Sequence, residues 1–407
     1  MIKNCRVCRS EELESVLNFG NVPFTGVFPA SNSELVPSGE LCLLLCTGCG
    51  LVQLSSTFPP AEMYGDNYGY RSGLNMSMVK HLQRIVRGLE QRVGLEAGDV
   101  VLDIGSNDGS LLHSYTEPQI RLIGIDPTIE KFRSFYAQNM EPIADFFSAD
   151  TFKKVCSGKA KIITSIAMFY DLEDPVDFAK NIYEVLDDDG VWYLEQSYMP
   201  WMLKSGAYDT ICHEHLEYYS LSSLKLVLDK SGFVIVDAAT NSVNGGSIAL
   251  TVKKKSPSVI TSPIVGWLLE SEKRAKIDQL STWIEFANRV RQQQTDLLGL
   301  LTRLKDSGCT VLALGASTKG NVLIQTTGIT TELIPKVGDV NPYKHGRFLP
   351  GSKIPIVSEE EVLNEKPDYL LVLPWHFRET FVNGLDSYLS TGGKFIFPLP
   401  DIEIVSY

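Results

Sequence analysis

The stretch Val100-Val-Leu-Asp-Ile-Gly-Ser-Asn-Asp-Gly-Ser-Leu-Leu112, taken with Leu122-Ile-Gly-Ile-Asp-Pro127, constrains this 407-residue chain more than any other. Its apolar, β-branched opening suits a strand buried on both faces. The run ends at Asp103, and Gly105 and Gly109 then allow a tight turn that can approach a ligand closely. A helix is expected over 109–116. The second apolar run ends at Asp126, where an acidic side chain can take both hydroxyls of a ribose. A strand, glycine loop, helix and acid-tipped strand make a nucleoside-bearing cofactor the natural ligand.

The glycine spacing selects among such cofactors. A dinucleotide fingerprint reads Gly-x-Gly-x-x-Gly, whereas this loop reads Asp103-x-Gly105-x-x-x-Gly109, with Ser106, Asn107 and Asp108 between. That order resembles the first motif of class I S-adenosylmethionine-dependent methyltransferases. Asn107 stands where that pattern commonly has glycine. The resemblance implies that Asp103, Gly105, Ser106, Asn107 and Gly109 hold the methionine end, and Asp126 and Pro127 the ribose. Asp145 and Phe146 then supply an acid and an apolar wall for adenine, and Phe169 follows a strand as a further site-facing residue.

A net charge of −12 argues against a nucleic-acid partner. Apolar runs fall short of a membrane span. The start, Met1-Ile-Lys-Asn-Cys5, lacks a signal-peptide core, so a cytoplasmic protein is expected. In a reducing compartment the knuckles Cys5-x-x-Cys8 and Cys46-x-x-Cys49 read as a four-thiolate zinc site. A set of four cysteines leaves no open coordination position, which makes the zinc structural. Redox dithiols are the competing reading.

Strands are expected at 100–104, 121–126, 161–166 and 190–195, and helices at 75–92, 128–137 and 175–186. That alternation builds a parallel, doubly wound α/β sheet. A second strand–glycine-loop unit, Thr310-Val-Leu-Ala-Leu-Gly315-Ala-Ser-Thr-Lys319-Gly-Asn321, places hydroxyls, amides and a cation where a phosphate would sit. The expected organisation is a zinc-binding domain over 1–73, a methyltransferase domain over 74–238 and a second Rossmann-like domain over 239–407. The intervening segment 260–304 reads as a helical connector.

Between the glycine loops lies Tyr208-Asp-Thr-Ile-Cys212-His213-Glu214-His215-Leu-Glu217-Tyr218. Two imidazoles and two carboxylates in five residues suit proton transfer; a solvated polar turn is the bland alternative. Asn244-Gly245-Gly246-Ser247 is hairpin chemistry that could equally approach a ligand. The tyrosine-rich loop ending in Tyr68-Gly-Tyr70 offers phenols for packing or for hydrogen bonding to an enolate.

In this order, the knuckles, glycine loop, Asp-Thr-x-x-His-Glu-His, Asn-Gly-Gly-Ser and Leu-Gly-Ala-Ser-Thr-Lys-Gly resemble the sugar C-methyltransferase family over essentially the whole chain. The resemblance implies C-methylation of a nucleotide-diphosphate 4-keto-6-deoxy sugar, at C3, by S-adenosylmethionine. It makes His215 the base with Glu214 beside it, His213 a third member, and Tyr68 or Tyr70 the enolate donor. Substrate would be held by Asn244, Gly246 and Ser247, by Ser317, Thr318, Lys319 and Asn321, and by Asp339, Asn341 and Lys344. The family pattern has tyrosine before His-Glu-His where this chain has Cys212. Sugar O- or N-methylation, an NAD-dependent nucleotide-sugar oxidoreductase or dehydratase, and a non-catalytic zinc protein are the rival readings.

Overall fold

The computed structural model describes residues 2–59, 63 and 70–407. Three sheets account for the strands. The first is antiparallel: β1 (Leu13–Pro23), β2 (Ser38–Cys46), β3 (Val52–Leu54) and, from far along the chain, β9 (Glu217–Tyr218). Val52 pairs with Tyr218 and Gln53 with Glu217. The segment just after His215 is therefore the fourth strand of the N-terminal sheet.

The middle sheet takes β4 (Val100–Ile104), β5 (Arg121–Ile125), β6 (Met140–Ile143), β7 (Ala160–Ile166) and β8 (Leu186–Ser197) in parallel. The hairpin of β10 (Phe233–Asn241) and β11 (Ser247–Lys254) completes it, with β11 antiparallel to β8. The order is β10-β11-β8-β7-β4-β5-β6. All four expected strands form. The boundary drawn at 238/239 falls inside β10, because the sheet is complete only with the returning strand.

Helix α1 (Met76–Val93) is capped by Asn75 and buries Leu82, Ile85, Val86 and Leu89 against one face of this sheet. Helix α2 (Pro175–Val185) starts at an Asp174 cap and covers the other face. The expected helices at 109–116 and 128–137 shrink to single turns, Leu112–Ser114 and Ile129–Phe132 followed by Arg133–Phe135. At the first, Asp108 accepts both the amide and hydroxyl of Ser110 in an N-cap-like turn, and after His113 N donates to Gly109 O the chain closes in 3-10 turns to Tyr115.

The helical connector is broken. Helix α3 (Pro263–Arg274) packs on the middle sheet, and α4 (Leu280–Asp306) buries Trp283, Phe286, Val290 and Leu297. The polar run 289–295 faces mainly outward, apart from Val290. The third sheet orders β14 (Ile356–Ser358), β13 (Val337–Asp339), β12 (Val311–Leu314), β15 (Tyr369–Val372), β16 (Lys394–Phe397) and β17 (Glu403–Val405). All pairs are parallel except β16–β17. Helix α5 (Thr318–Thr327) follows β12. One apolar cluster joins the N-terminal sheet, α4 and this third sheet, so the first and last parts of the chain share a core. Among the described residues no helix is long and apolar enough to cross a membrane.

Candidate active site

Beyond the C-terminal end of β4, positive φ angles at Gly105 (73°), Asn107 (51°) and Gly109 (76°) turn the backbone. Asparagine tolerates this region better than most residues. Its side chain also accepts from Ser72 N at 3.0 Å and donates to Tyr70 O at 3.3 Å. Asp108 adds a bond from Gly73 N at 2.9 Å. Residues 70–73 are thus latched onto the glycine loop. Tyr70 is about half exposed; Tyr68 lies outside the described residues.

Asp126 Oδ2 accepts from Asn107 N at 2.9 Å, and Oδ1 from the amide and hydroxyl of Thr128, both at 2.6 Å. A carboxylate offers about four acceptor positions, so one remains for a ribose hydroxyl rather than the pair expected. Half-buried Pro127 follows it. Asp103 is 3% exposed and bonds Thr164 Oγ1 at 2.6 Å; burial pushes its carboxyl up to about 7. The ammonium of a methionine is a partner that such a carboxyl lacks among its protein neighbours, so the residues fit S-adenosylmethionine. Asp145 and Phe146 follow β6 and are exposed, the ring by 52%. The Ser106 hydroxyl instead braces the loop, meeting Tyr136 OH at 2.7 Å.

Phe169 is a correction. It is 0% exposed and packed among Phe178, Trp192 and Tyr219, so it offers no surface to a cofactor. The next residue, Tyr170, reaches the site: its ring lies 4.2 Å from that of His215.

His215 Nδ1 lies 2.8 Å from the Thr210 carbonyl. A carbonyl can only accept, so Nδ1 carries the hydrogen and Nε2 the free lone pair. Burial, and then the Lys319 charge, hold this imidazole down to about 3, neutral at physiological pH. It lines a small cleft with Tyr170, Tyr198 and Glu217, formed where the chain leaves β7 and β8. Met168, next along from the glycine loop, touches the Gly105 backbone.

Glu214 points elsewhere. A Cβ on Gly26 would lie 2.1 Å from Glu214 Oε1 and 3.4 Å from Thr318 Oγ1, so the carboxyl, the N-terminal loop and the second glycine loop converge. Burial raises this carboxyl. His213 is the second correction: it is 1% exposed, wedged between Phe24 and Phe58, with Nε2–H donating to Gly39 O at 3.3 Å. It is a core residue of the N-terminal sheet. Cys212 is equally buried, its thiol pushed well up by desolvation.

The second glycine loop, unlike the first, leads into a full helix. Ser317 caps Gly320 N at 3.0 Å and opens α5, ten residues long. Such a helix directs amides and a positive dipole end at an anion; the single turn after Gly109 cannot. The loop lies where the strand order reverses between β12 and β15, the switch point at which ligands bind open parallel sheets. Lys319 Nζ donates to Asn244 O at 2.8 Å, and Lys344 Nζ to Ala316 O at 2.7 Å. Asp339, which accepts Asn341 N at 2.7 Å, stands 3.6 Å from Lys344. Lys344, Asp339 and Asn341 are thus drawn to the second glycine loop.

Two expected substrate contacts are absent. Asn321 is 0% exposed and donates to Thr25 O at 2.9 Å, clamping the N-terminal loop to α5. Ser247 is 2% exposed and closes its own hairpin by donating to Val243 O at 2.9 Å. Gly246, at φ 123°, lies against the Trp201 side chain, where a Cβ would clash at 2.7 Å. The sequence reading missed Gly26; it placed Tyr170 beside Phe169 as site-facing, and it gave no role to Asp209 or to the pair Trp375–His376, although that pair follows an apolar run and so lies at a strand's C-terminal end. A separate groove between α1 and mid-strand residues Tyr193, Ala238 and Ala249 lies on the sheet flank and takes no part.

The four knuckle sulfurs lie within 4.8 Å of one another. Tetrahedral zinc at about 2.3 Å would set them about 3.8 Å apart, so the cysteines fit the ion.

A strand-end acid, a glycine loop at the C-terminal end of β4, and a seven-stranded sheet with one reversed strand define a class I methyltransferase. Family models agree along the chain: a zinc binding domain over 5–64, a methyltransferase domain over 78–238 and a C-methyltransferase C-terminal domain over 242–400. The C-methyltransferase NovU of Streptomyces niveus is 30% identical over 412 residues, covering 100% of this chain and 97% of NovU. The chain belongs to this C-methyltransferase family, with S-adenosylmethionine as methyl donor and zinc in the N-terminal site. Solved structures overlap in part. Mitomycin 7-O-methyltransferase MmcR has TM-score 0.36 at 15% identity, over 45% of this chain and 55% of that one. The methyltransferase in complex with the Haloferax volcanii Trm112 activator has TM-score 0.35 at 13% identity, over 44% and 95%.

Proposed function

We propose that this enzyme C-methylates a nucleotide-diphosphate 4-keto-6-deoxyhexose, at the carbon next to the keto group, through an enolate. Carbon there becomes nucleophilic only after losing a proton. The observation that carries the reading is His215: its proton-free Nε2 belongs to an imidazole that lines a cleft at the end of the cofactor sheet, within the field of the Lys319 charge. Neutral imidazole takes the C3 proton, and the enolate attacks the sulfonium methyl in line, a step governed by positioning. The phosphates lie at Ser317–Lys319 and the start of α5, supported by the Asp339–Lys344 cluster. Tyr70, latched to the cofactor loop, is the described phenol that would donate to the enolate oxygen.

Incubation with S-adenosylmethionine and thymidine-, cytidine- or guanosine-diphosphate 4-keto-6-deoxyhexoses tests this. One conjugate should gain the mass of one methylene, with the new methyl on ring carbon. Gain on oxygen or nitrogen, or none with any conjugate, refutes the reading.

A further inference from the structure

Around Trp375 lie two buried polar atoms without a hydrogen-bond partner: Asp209 Oδ1 and His376 Nδ1. They come from two parts of the chain, the turn before His215 and the loop after β15. His376 follows β15, on the second loop of the switch point, opposite Lys319 on the first. Asp209 belongs to the turn Tyr208–Thr210, whose last residue holds His215 Nδ1. Trp375 ties the two together: its Nε1 donates to Asp209 Oδ2 at 2.8 Å, and its ring meets that of His376 edge-on at 5.7 Å. Beneath them runs the Asn244–Gly245 turn. A Cβ on Gly245 would stand 3.5 Å from Trp375, while the neighbouring Asn244 carbonyl takes the Lys319 ammonium.

A buried acceptor left without a donor costs about 1–3 kcal/mol, which is tolerable where a ligand supplies the donor. We infer that Asp209 and His376 form a hydroxyl-reading subsite for the hexose ring, distinct from the phosphate-holding loop at Ser317–Lys319. This rests on the nucleotide-sugar reading above. Asp209 Oδ1 accepts one ring hydroxyl, and the His376 imidazole exchanges a hydrogen bond with another. The ring is thereby fixed one residue away from the carbonyl that orients the base. Charge agrees with a neutral polyol rather than a second phosphate. Burial raises the Asp209 carboxyl, and burial with the Lys319 charge holds His376 down to about 3, so the imidazole presents no cation. Sites built on buried polar partners reject analogues lacking the matching hydroxyl strongly, so these residues set which hexose is accepted.

The test is calorimetric titration of wild type, Asp209→Asn and His376→Phe. The probes are thymidine, cytidine and guanosine diphosphates, the 4-keto-6-deoxyhexose conjugate of each, and S-adenosylmethionine as the control for folding. Asp209→Asn keeps an acceptor for Trp375 but replaces the free acceptor with a donor. Both variants should bind S-adenosylmethionine and the preferred free diphosphate within about twofold of wild type, and bind its conjugate at least tenfold more weakly. Unchanged conjugate binding overturns the subsite, as does an equal loss for diphosphate and conjugate, which would mark general support of the crevice. Wild type that binds none of the diphosphates or conjugates overturns the nucleotide-sugar reading itself, and the subsite with it.

Discussion

His213 and His215 stand two residues apart with opposite environments. In the extended segment leading into β9, alternate side chains do not simply share a face, because the turn at Cys212–His215 intervenes. His213 enters the aromatic core between Phe24 and Phe58, whereas His215 borders the cleft. Burial holds His213 down to about 4, against about 6.5 in the unfolded chain. The folded state then binds fewer protons than the unfolded state between those values. The contribution is fully present above pH 6.5 and is lost as pH falls toward 4, by at most about 3 kcal/mol. His213→Gln should flatten this acid-side loss: denaturant melts of both proteins from pH 7 to 4 should converge as pH drops. Parallel curves would place His213 outside the core. What was legible at this scale was residue type and spacing. What was not was partnership: Phe169, Ser247 and Asn321 have ligand-like chemistry, but packing or a backbone carbonyl already claims each one.

The zinc knuckle reaches the His213–Tyr218 segment through Arg6, which lies between ligands Cys5 and Cys8. Its guanidinium donates to Leu54 O at 2.9 Å and approaches Glu217 at 3.5 Å, with both side chains buried. Leu54 N in turn donates to Leu216 O at 2.8 Å. His215, the proposed base, is thus followed directly by a strand fixed to the zinc knuckle. Burial pushes the Glu217 carboxyl well up, with Arg6 drawing it partly back. Removing one partner of a buried pair costs about 3–5 kcal/mol. Arg6→Ala should destabilise by that order, and Arg6→Ala with Glu217→Gln by clearly less, in a double-mutant cycle of urea melts. Additive losses would mean the two side chains do not interact. Periodicity disclosed α1, α2 and the parallel strands, because each buries a continuous apolar face. It could not disclose β9, two residues long and paired across more than 160 positions.

Across the whole molecule, the N-terminal region serves as a joint. Its knuckles pack into the core of the middle sheet, and its own sheet shares a core with the C-terminal half. Asn321 and Arg347 donate to Thr25 O and Phe28 O, fastening the same loop from the far side. Motif order announced three parts, but no sequence pattern states that the first would be wedged between the other two, since that depends on contacts distant in sequence. In the proposed reading, the first glycine loop serves the sulfonium cofactor, the second serves an anion, and His215 serves as the base. The central claim, that His215 removes the proton from the carbon to be methylated, is tested most directly by solvent exchange. In deuterium oxide with S-adenosylhomocysteine, wild type should place deuterium on the ring carbon beside the keto group of its conjugate. His215→Asn should bind cofactor and conjugate normally yet exchange at least about 100-fold more slowly. Exchange by that variant at the wild-type rate would contradict the account.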